Sequence, residues 1–193
     1  MTERLARLTR DTLTPEQVEI YDRFATGKRA APGAAFSLVH PEGGLMGPPN
    51  GWLLSPPLGR VLEKIGYAVR YELELSDRAR EIAILLHAFH RESPFEIYAH
   101  RQAGRAAGLT DAEIDGLATR TEPDFRSDDE RTVFATTLAI IDRKTLDDAE
   151  YAAAVAVLGE RDLFELVVLL GYYDFVATQL AVFAVTPPVE QVT

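Results

Sequence analysis

The stretch LSDRAREIAILLHAFHRESPFEIYAHRQAGRAAGLTDAEI, Leu75–Ile114, decides the fold. Ser76 is a helix cap, and the residues after it place Ala79, Ile82, Ala83, Leu86 and Phe89 on one stripe, predicting a helix to about Arg91. Ser93 is a second cap and Gly108 a stop, predicting a helix from Pro94 to about Ala107. Thr110-Asp111-Ala112-Glu113 is a capping box for a short third helix.

Working outward, the same punctuation recurs. Thr14 caps a helix with Pro15 at its first position and Gly27 past its end. Residues 28–55 are rich in Pro and Gly and read as one long loop, the kind that often carries function; Asn50 and Trp52 are its candidates for substrate binding. A helix follows from about Pro57 to Tyr71. Thr119 to Glu130 is acidic, contains Pro123 and reads as an exposed loop. Ser127-Asp128-Asp129-Glu130 is a capping box for a helix to about Arg143. Thr145 opens another that ends near Gly159, and the last runs from about Asp162 to Val185, stopped by Pro187-Pro188. No run alternates with period two, so the chain reads as all-α, a compact bundle of seven or eight helices in one domain over 1–193. Its motif-bearing core is 76–118.

Arg80–Leu86 and Phe164–Leu170 both place a Glu before an aliphatic run. Two helical hairpins related by duplication would explain the echo, and so would chance. Helices this apolar all round must be covered on most sides, which points to a homo-oligomer.

The totals exclude several functions. The net charge of −10 argues against nucleic acid and anionic membranes as partners, while leaving a locally positive pocket for a small-molecule substrate. There is no cysteine, hence no disulfide, thiolate metal site or thiol nucleophile. The N-terminus has no apolar core of the signal-peptide kind, and the apolar Leu163–Val185 segment carries Glu165, Asp174 and Gln179, so a cytoplasmic soluble protein is the simplest expectation.

On a helical wheel, Glu96 and His100 fall in the small-residue sector with Ala99, Ala103 and Gly104, where the helix packs rather than meets water. An i, i+4 hydrogen bond between them is available, and such a pair can carry protons. Glu96 also completes a capping box with Ser93, so capping, catalysis and a plain buried ion pair all fit the spacing. Glu81 sits at the edge of the preceding stripe, His90 near its centre and His87 at its border. His87, His90, Glu96 and His100 match no strong metal signature, so no metal ligand is assigned.

Leu75–Leu85, Phe95-Glu96-Ile97-Tyr98-Ala99-His100 and Ala106–Ile114 together resemble the carboxymuconolactone decarboxylase family, which includes the alkylhydroperoxidase D-like proteins. The Gly47-Pro48-Pro49-Asn50 loop and Leu170-Gly171-Tyr172-Tyr173 resemble its longer members. The resemblance covers most of the chain beyond about residue 30. It implies an all-α fold assembled as trimers or hexamers. In the peroxidase branch a Glu, a C-x-x-C pair and a His correspond to Glu81, Ser93, Glu96 and His100, so both thiols are replaced here. The decarboxylase branch carries a Glu where Glu96 stands and a His where His100 stands, and needs neither metal nor organic cofactor. Tyr98 stands near a position where that branch often has Trp. Arg80, Arg91 and Arg101 lie nearby, but the motif fixes no arginine cluster for a dicarboxylate.

The expectation is therefore a cofactor-independent acid–base lyase, isomerase or lactone-opening enzyme acting on a small unsaturated keto acid or lactone. His100 would carry the proton, Glu96 would orient it or abstract a proton itself, and Glu81 would serve as a relay. Asn50, Trp52, His87 and His90 would meet substrate. Two other classes compete: a non-catalytic oligomeric binding protein with a filled site, and a metal-dependent enzyme using the His cluster.

Overall fold

The computed structural model describes residues 3–26, 30 and 36–188. Apart from one isolated bridge between Val39 and Leu45, the regular structure of these residues is helical. A 3-10 turn at Arg10–Thr12 leads to α1 (Pro15–Ala25), α2 (Pro48–Trp52), α3 (Pro56–Tyr71), α4 (Asp77–His90), α5 (Pro94–Ala106), α6 (Asp111–Thr119), α7 (Asp128–Arg143) and α8 (Asp148–Val182). Gly27, the expected stop of α1, lies outside the described residues.

The α4 helix is the axis of the bundle. It touches α5, α6, α7 and α8, and every residue from Ile82 to Ala88 is buried. A helix apolar on all sides can be stable only when neighbours cover all of them. Ser76 Oγ accepts from Ala79 N at 3.2 Å and starts it as expected. At its first turn Arg78 is almost fully buried and forks between Glu130 Oε1 (2.7 Å) and Glu113 Oε1 (2.6 Å), with a further short bond to the Gly108 carbonyl. One guanidinium thus ties α4 to α6, to α7 and to the α5–α6 turn. Gly104 lets α5 lie close against this axis, since a Cβ there would come within 3.1 Å of Leu109 and 3.2 Å of Leu85.

The Thr110–Glu113 capping box forms as expected. The Ser93 box does not. Ser93 N–H donates to Ala88 O at 3.0 Å, Ser93 Oγ has no partner, and neither Glu96 oxygen reaches back. At Ser127 only half the box forms, because the Glu130 carboxylate turns to Arg78 and to Arg126 N. Two boundaries also differ from expectation. Part of the 28–55 loop is the helix α2, begun by Pro48-Pro49. The last helix is capped by Asp147 in a box with Glu150; Thr145 instead bonds Leu146 O in the turn after Lys144, which has φ 60°. The expected break between the two C-terminal helices is present: α8 consists of two helical segments that meet at Gly159, where φ is 77° and the backbone is not helical.

Two smaller clusters complete the core. Ile20, Tyr21, Phe24, Leu45, Trp52 and Leu53 pack the N-terminal helices, while Phe95, Ala99, Val176 and Leu180 join α5 to α8. No helix of the described residues is long and apolar enough to cross a membrane.

Candidate active site

A cavity of about 380 Å³ opens where α2, α3, α4, α5 and α8 converge. Its polar wall comes from α3 through Arg70, from α4 through Arg80 and Glu81, and from α5 through Glu96 and His100, with Tyr173 of α8 alongside. Its apolar wall includes Trp52, Phe95, Tyr172 and Val176. Gly47 shapes this wall: φ is 68°, and a Cβ there would sit 2.4 Å from the Phe95 ring.

His100 and Glu81 are 4% and 1% exposed, and His100 Nδ1 lies 2.7 Å from Glu81 Oε2. The expected partner of His100 was Glu96; the structure gives it Glu81 instead, because α4 and α5 pack so closely that the tertiary contact replaces the i, i+4 one. Burial opposes ionisation of Glu81, but His100, Arg70 and Arg80 more than offset it and hold its pKa below the ordinary value. An ionised Glu81 accepts the Nδ1 proton and leaves Nε2 as the ring nitrogen open to further bonding. The imidazole is held from its sides by Tyr173, perpendicular at 5.0 Å between centroids, and Phe36 at 6.4 Å. Burial keeps the Tyr173 hydroxyl protonated, its pKa raised well above the usual value.

Glu96 is the opposite case. It is 2% exposed, and neither carboxyl oxygen has a hydrogen-bond partner. Burial pushes its pKa up to about 7. The cavity therefore holds one carboxyl kept ionised by a cation and one kept partly protonated near neutral pH by burial, the arrangement that separates acid from base.

The other expected residues divide. Trp52 lines the cavity and anchors α2 by donating Nε1–H to Gln179 Oε1 at 2.8 Å. Asn50 faces a separate small recess with Glu3 and Leu5, and its amide donates to Ala6 O at 3.2 Å. His87 is buried against Asp174, Nε2 to Oδ1 at 3.4 Å, and does not line the cavity; desolvation brings its pKa down to about 4. His90 is exposed and also lies off the cavity. Among the described residues no three His, Asp or Glu gather as a metal site, so His87, His90 and His100 are not brought together. Arg91 bonds Thr178 and Arg101 stacks over Phe89, leaving Arg80 as the member of that trio at the cavity.

Two lining residues escaped the sequence. Arg70 lies in the last turn of α3, where a cation complements the helix dipole and its position alone signals no site. Tyr173 carried no signal beyond the resemblance of Leu170–Tyr173. Only the convergence of α3 and α8 on α4 reveals them.

No protein-family model matches the chain, and no curated protein matches it. Solved structures do. One is a protein of unknown function from Agrobacterium tumefaciens, described as a candidate antioxidant-defence protein AhpD. It matches with a TM-score of 0.64 and 18% identity over 71% of this chain and 94% of that one. Another is the debrominase Bmp8, solved as a cysteine-to-alanine variant with 2,3,4-tribromopyrrole, with a TM-score of 0.72 and 12% identity over 98% of this chain and 94% of that one. At such identities the likeness concerns architecture, and the chain has an AhpD-like, all-helical fold.

Proposed function

We propose that the chain is a cofactor-independent acid–base enzyme of the decarboxylase branch of the carboxymuconolactone decarboxylase family, acting on a small unsaturated keto acid or lactone. One observation carries the reading: a buried Glu81···His100 pair at 2.7 Å and an unpartnered buried Glu96 line the same cavity. Glu81 holds the ring by Nδ1 and leaves Nε2 to take a proton and return it. Glu96, with a pKa of about 7, is a second proton carrier at neutral pH. When a carboxylate borne on the carbon next to a carbonyl is lost as CO2, the pair of the broken C–C bond becomes an enolate. A protonated His100 stabilises the enolate oxygen, and a proton from Glu96 to carbon closes the reaction. Isomerisation and lactone opening draw on the same two carriers.

A scaffold protein that had abandoned chemistry would be expected to fill the space beside His100, and the open cavity there favours the enzyme reading. The Bmp8 neighbour is an enzyme that accommodates a flat heterocycle, which lends weight to a small-molecule site in this fold. The variant solved there replaces a cysteine, and this chain has none, so thiol chemistry does not transfer. The test is turnover of a panel of unsaturated lactone acids and keto acids by the parent, His100→Ala, Glu81→Gln and Glu96→Gln. Loss of activity in folded variants supports the reading. Full activity in His100→Ala and Glu81→Gln together would sink it.

A further inference from the structure

We propose that the cavity receives the single carboxylate of a flat aryl or aryl-conjugated acid, with Arg70 as its anchor; the inference rests on the reading of this cavity as a substrate site. Arg70 lines the cavity at the end of α3, with its guanidinium stacked over the Phe36 ring at 5.1 Å and near Tyr71 at 5.9 Å. Guanidinium stays charged in any protein environment. Yet among the described residues no carboxylate lies within ion-pair distance of it; Glu81, whose charge Arg70 feels, is bound to His100. Arg70 feels the Glu81 charge and bonds Tyr71, but with no carboxylate at ion-pair distance its planar fork can still take one from a ligand.

The other cation of the wall, Arg80, already has two carboxylates within ion-pair distance, although its Nε makes no hydrogen bond. Arg80 bonds Asp77 Oδ1 at 2.7 Å and lies 3.5 Å from Glu81 Oε1. Of the two wall cations Arg70 is thus the one with no carboxylate at ion-pair distance, and beside Glu81 and Glu96 a second carboxylate on the ligand would meet repulsion. The body of the ligand faces Trp52, Phe95, Tyr172 and Val176, surfaces that suit a planar ring. A dry cavity of roughly 150 Å³ holds benzene; about 380 Å³ admits one ring, a conjugated arm and its carboxylate. Held at Arg70, such an acid lies in the same chamber as His100 and Glu96.

The experiment is calorimetric binding of trans-cinnamate, cinnamamide, terephthalate and hexanoate to the parent, Arg70→Gln, Arg70→Lys, Arg80→Gln and His100→Ala. Cinnamate should bind the parent at least about tenfold more tightly than cinnamamide, terephthalate or hexanoate. Arg70→Gln should erase the preference for cinnamate over cinnamamide, Arg70→Lys should keep part of it, and Arg80→Gln should change cinnamate affinity less than about threefold. His100→Ala should still bind cinnamate, which separates anchoring from chemistry. Equal binding of cinnamate and cinnamamide, no binding of either, or cinnamate affinity unchanged in Arg70→Gln would overturn the anchor. Those outcomes leave the acid–base reading standing, since it is judged by turnover in the His100 and Glu81 variants.

Discussion

Glu96→Gln should make the protein more stable in alkali. The carboxyl ionises near 4.5 in an unfolded chain but near 7 in the folded one, because burial without a partner penalises its charge. A raised acid pKa costs stability: the penalty begins above pH 4.5, grows as pH rises to 7 and is complete beyond it. At about 1.4 kcal/mol per pH unit, the difference between 4.5 and about 7 amounts to roughly 3 kcal/mol. Glutamine keeps the shape and never ionises. The variant should therefore gain roughly 3 kcal/mol on the parent between pH 4.5 and pH 8.5, a relative rise in Tm of about 6–12 °C for a chain of this size. The parent's own pH profile would mislead, because His87 acts in an overlapping window with the opposite sign. Burial holds that imidazole at about 4 against 6.5 unfolded, so its contribution is present above 6.5 and is lost as pH falls toward 4. His87 is common to both proteins, and subtracting one urea-denaturation series from the other at each pH removes it. A difference between variant and parent that stays constant from pH 4.5 to 8.5 would refute the reasoning, for it would mean that Glu96 is solvated or paired.

Further outcomes concern the frame of the site. Arg78→Met leaves Glu113 and Glu130 buried without their cation and should cost about 3–5 kcal/mol in chemical denaturation; a loss below 1 kcal/mol would contradict the role given to this fork. Glu113 is the mirror image of Glu96: burial works against its charge, but Arg78 and Thr110 outweigh it and hold its pKa down to about 2. Its contribution is complete above pH 4.5 and is lost as pH falls toward 2, so Glu113→Gln should flatten the acid limb of the stability curve. Gly47→Ala puts a methyl against Phe95 at a positive φ, and should lower stability by about 1–3 kcal/mol and loosen the cavity wall, read as a fall in Tm.

Much of the fold was legible because helix ends are written locally. Ser76, Thr14 and the Thr110–Glu113 box cap the helices they were read to cap. Thr145 failed because Asp147, two residues on, is the better acceptor once Lys144 has turned the chain. The site was half legible. Periodicity placed Glu96 and His100 on the buried face, where the structure has them. It could not name the partner of His100, because Glu81 lies 19 residues away and only the packing of α4 on α5 brings the two together. The same spacing rule overvalued Ser93 as a capping-box partner, whose N–H is taken by Ala88 O. His87 shares α4 with Glu81 but points toward Asp174 on α8, a direction no single-helix wheel reveals. Arg70 needed α3 laid across the mouth of the site.

The central claim is that His100, held by Glu81, moves protons at this cavity. The most direct measurement is deuterium exchange in D2O, followed by proton NMR, at the carbon beside the carbonyl in a panel of unsaturated keto acids and lactone acids. The account predicts exchange or turnover of at least one compound by the parent, a loss of at least about a hundredfold in His100→Ala and Glu81→Gln, and retained helical circular dichroism in both. Exchange that proceeds undiminished in both folded variants would contradict it.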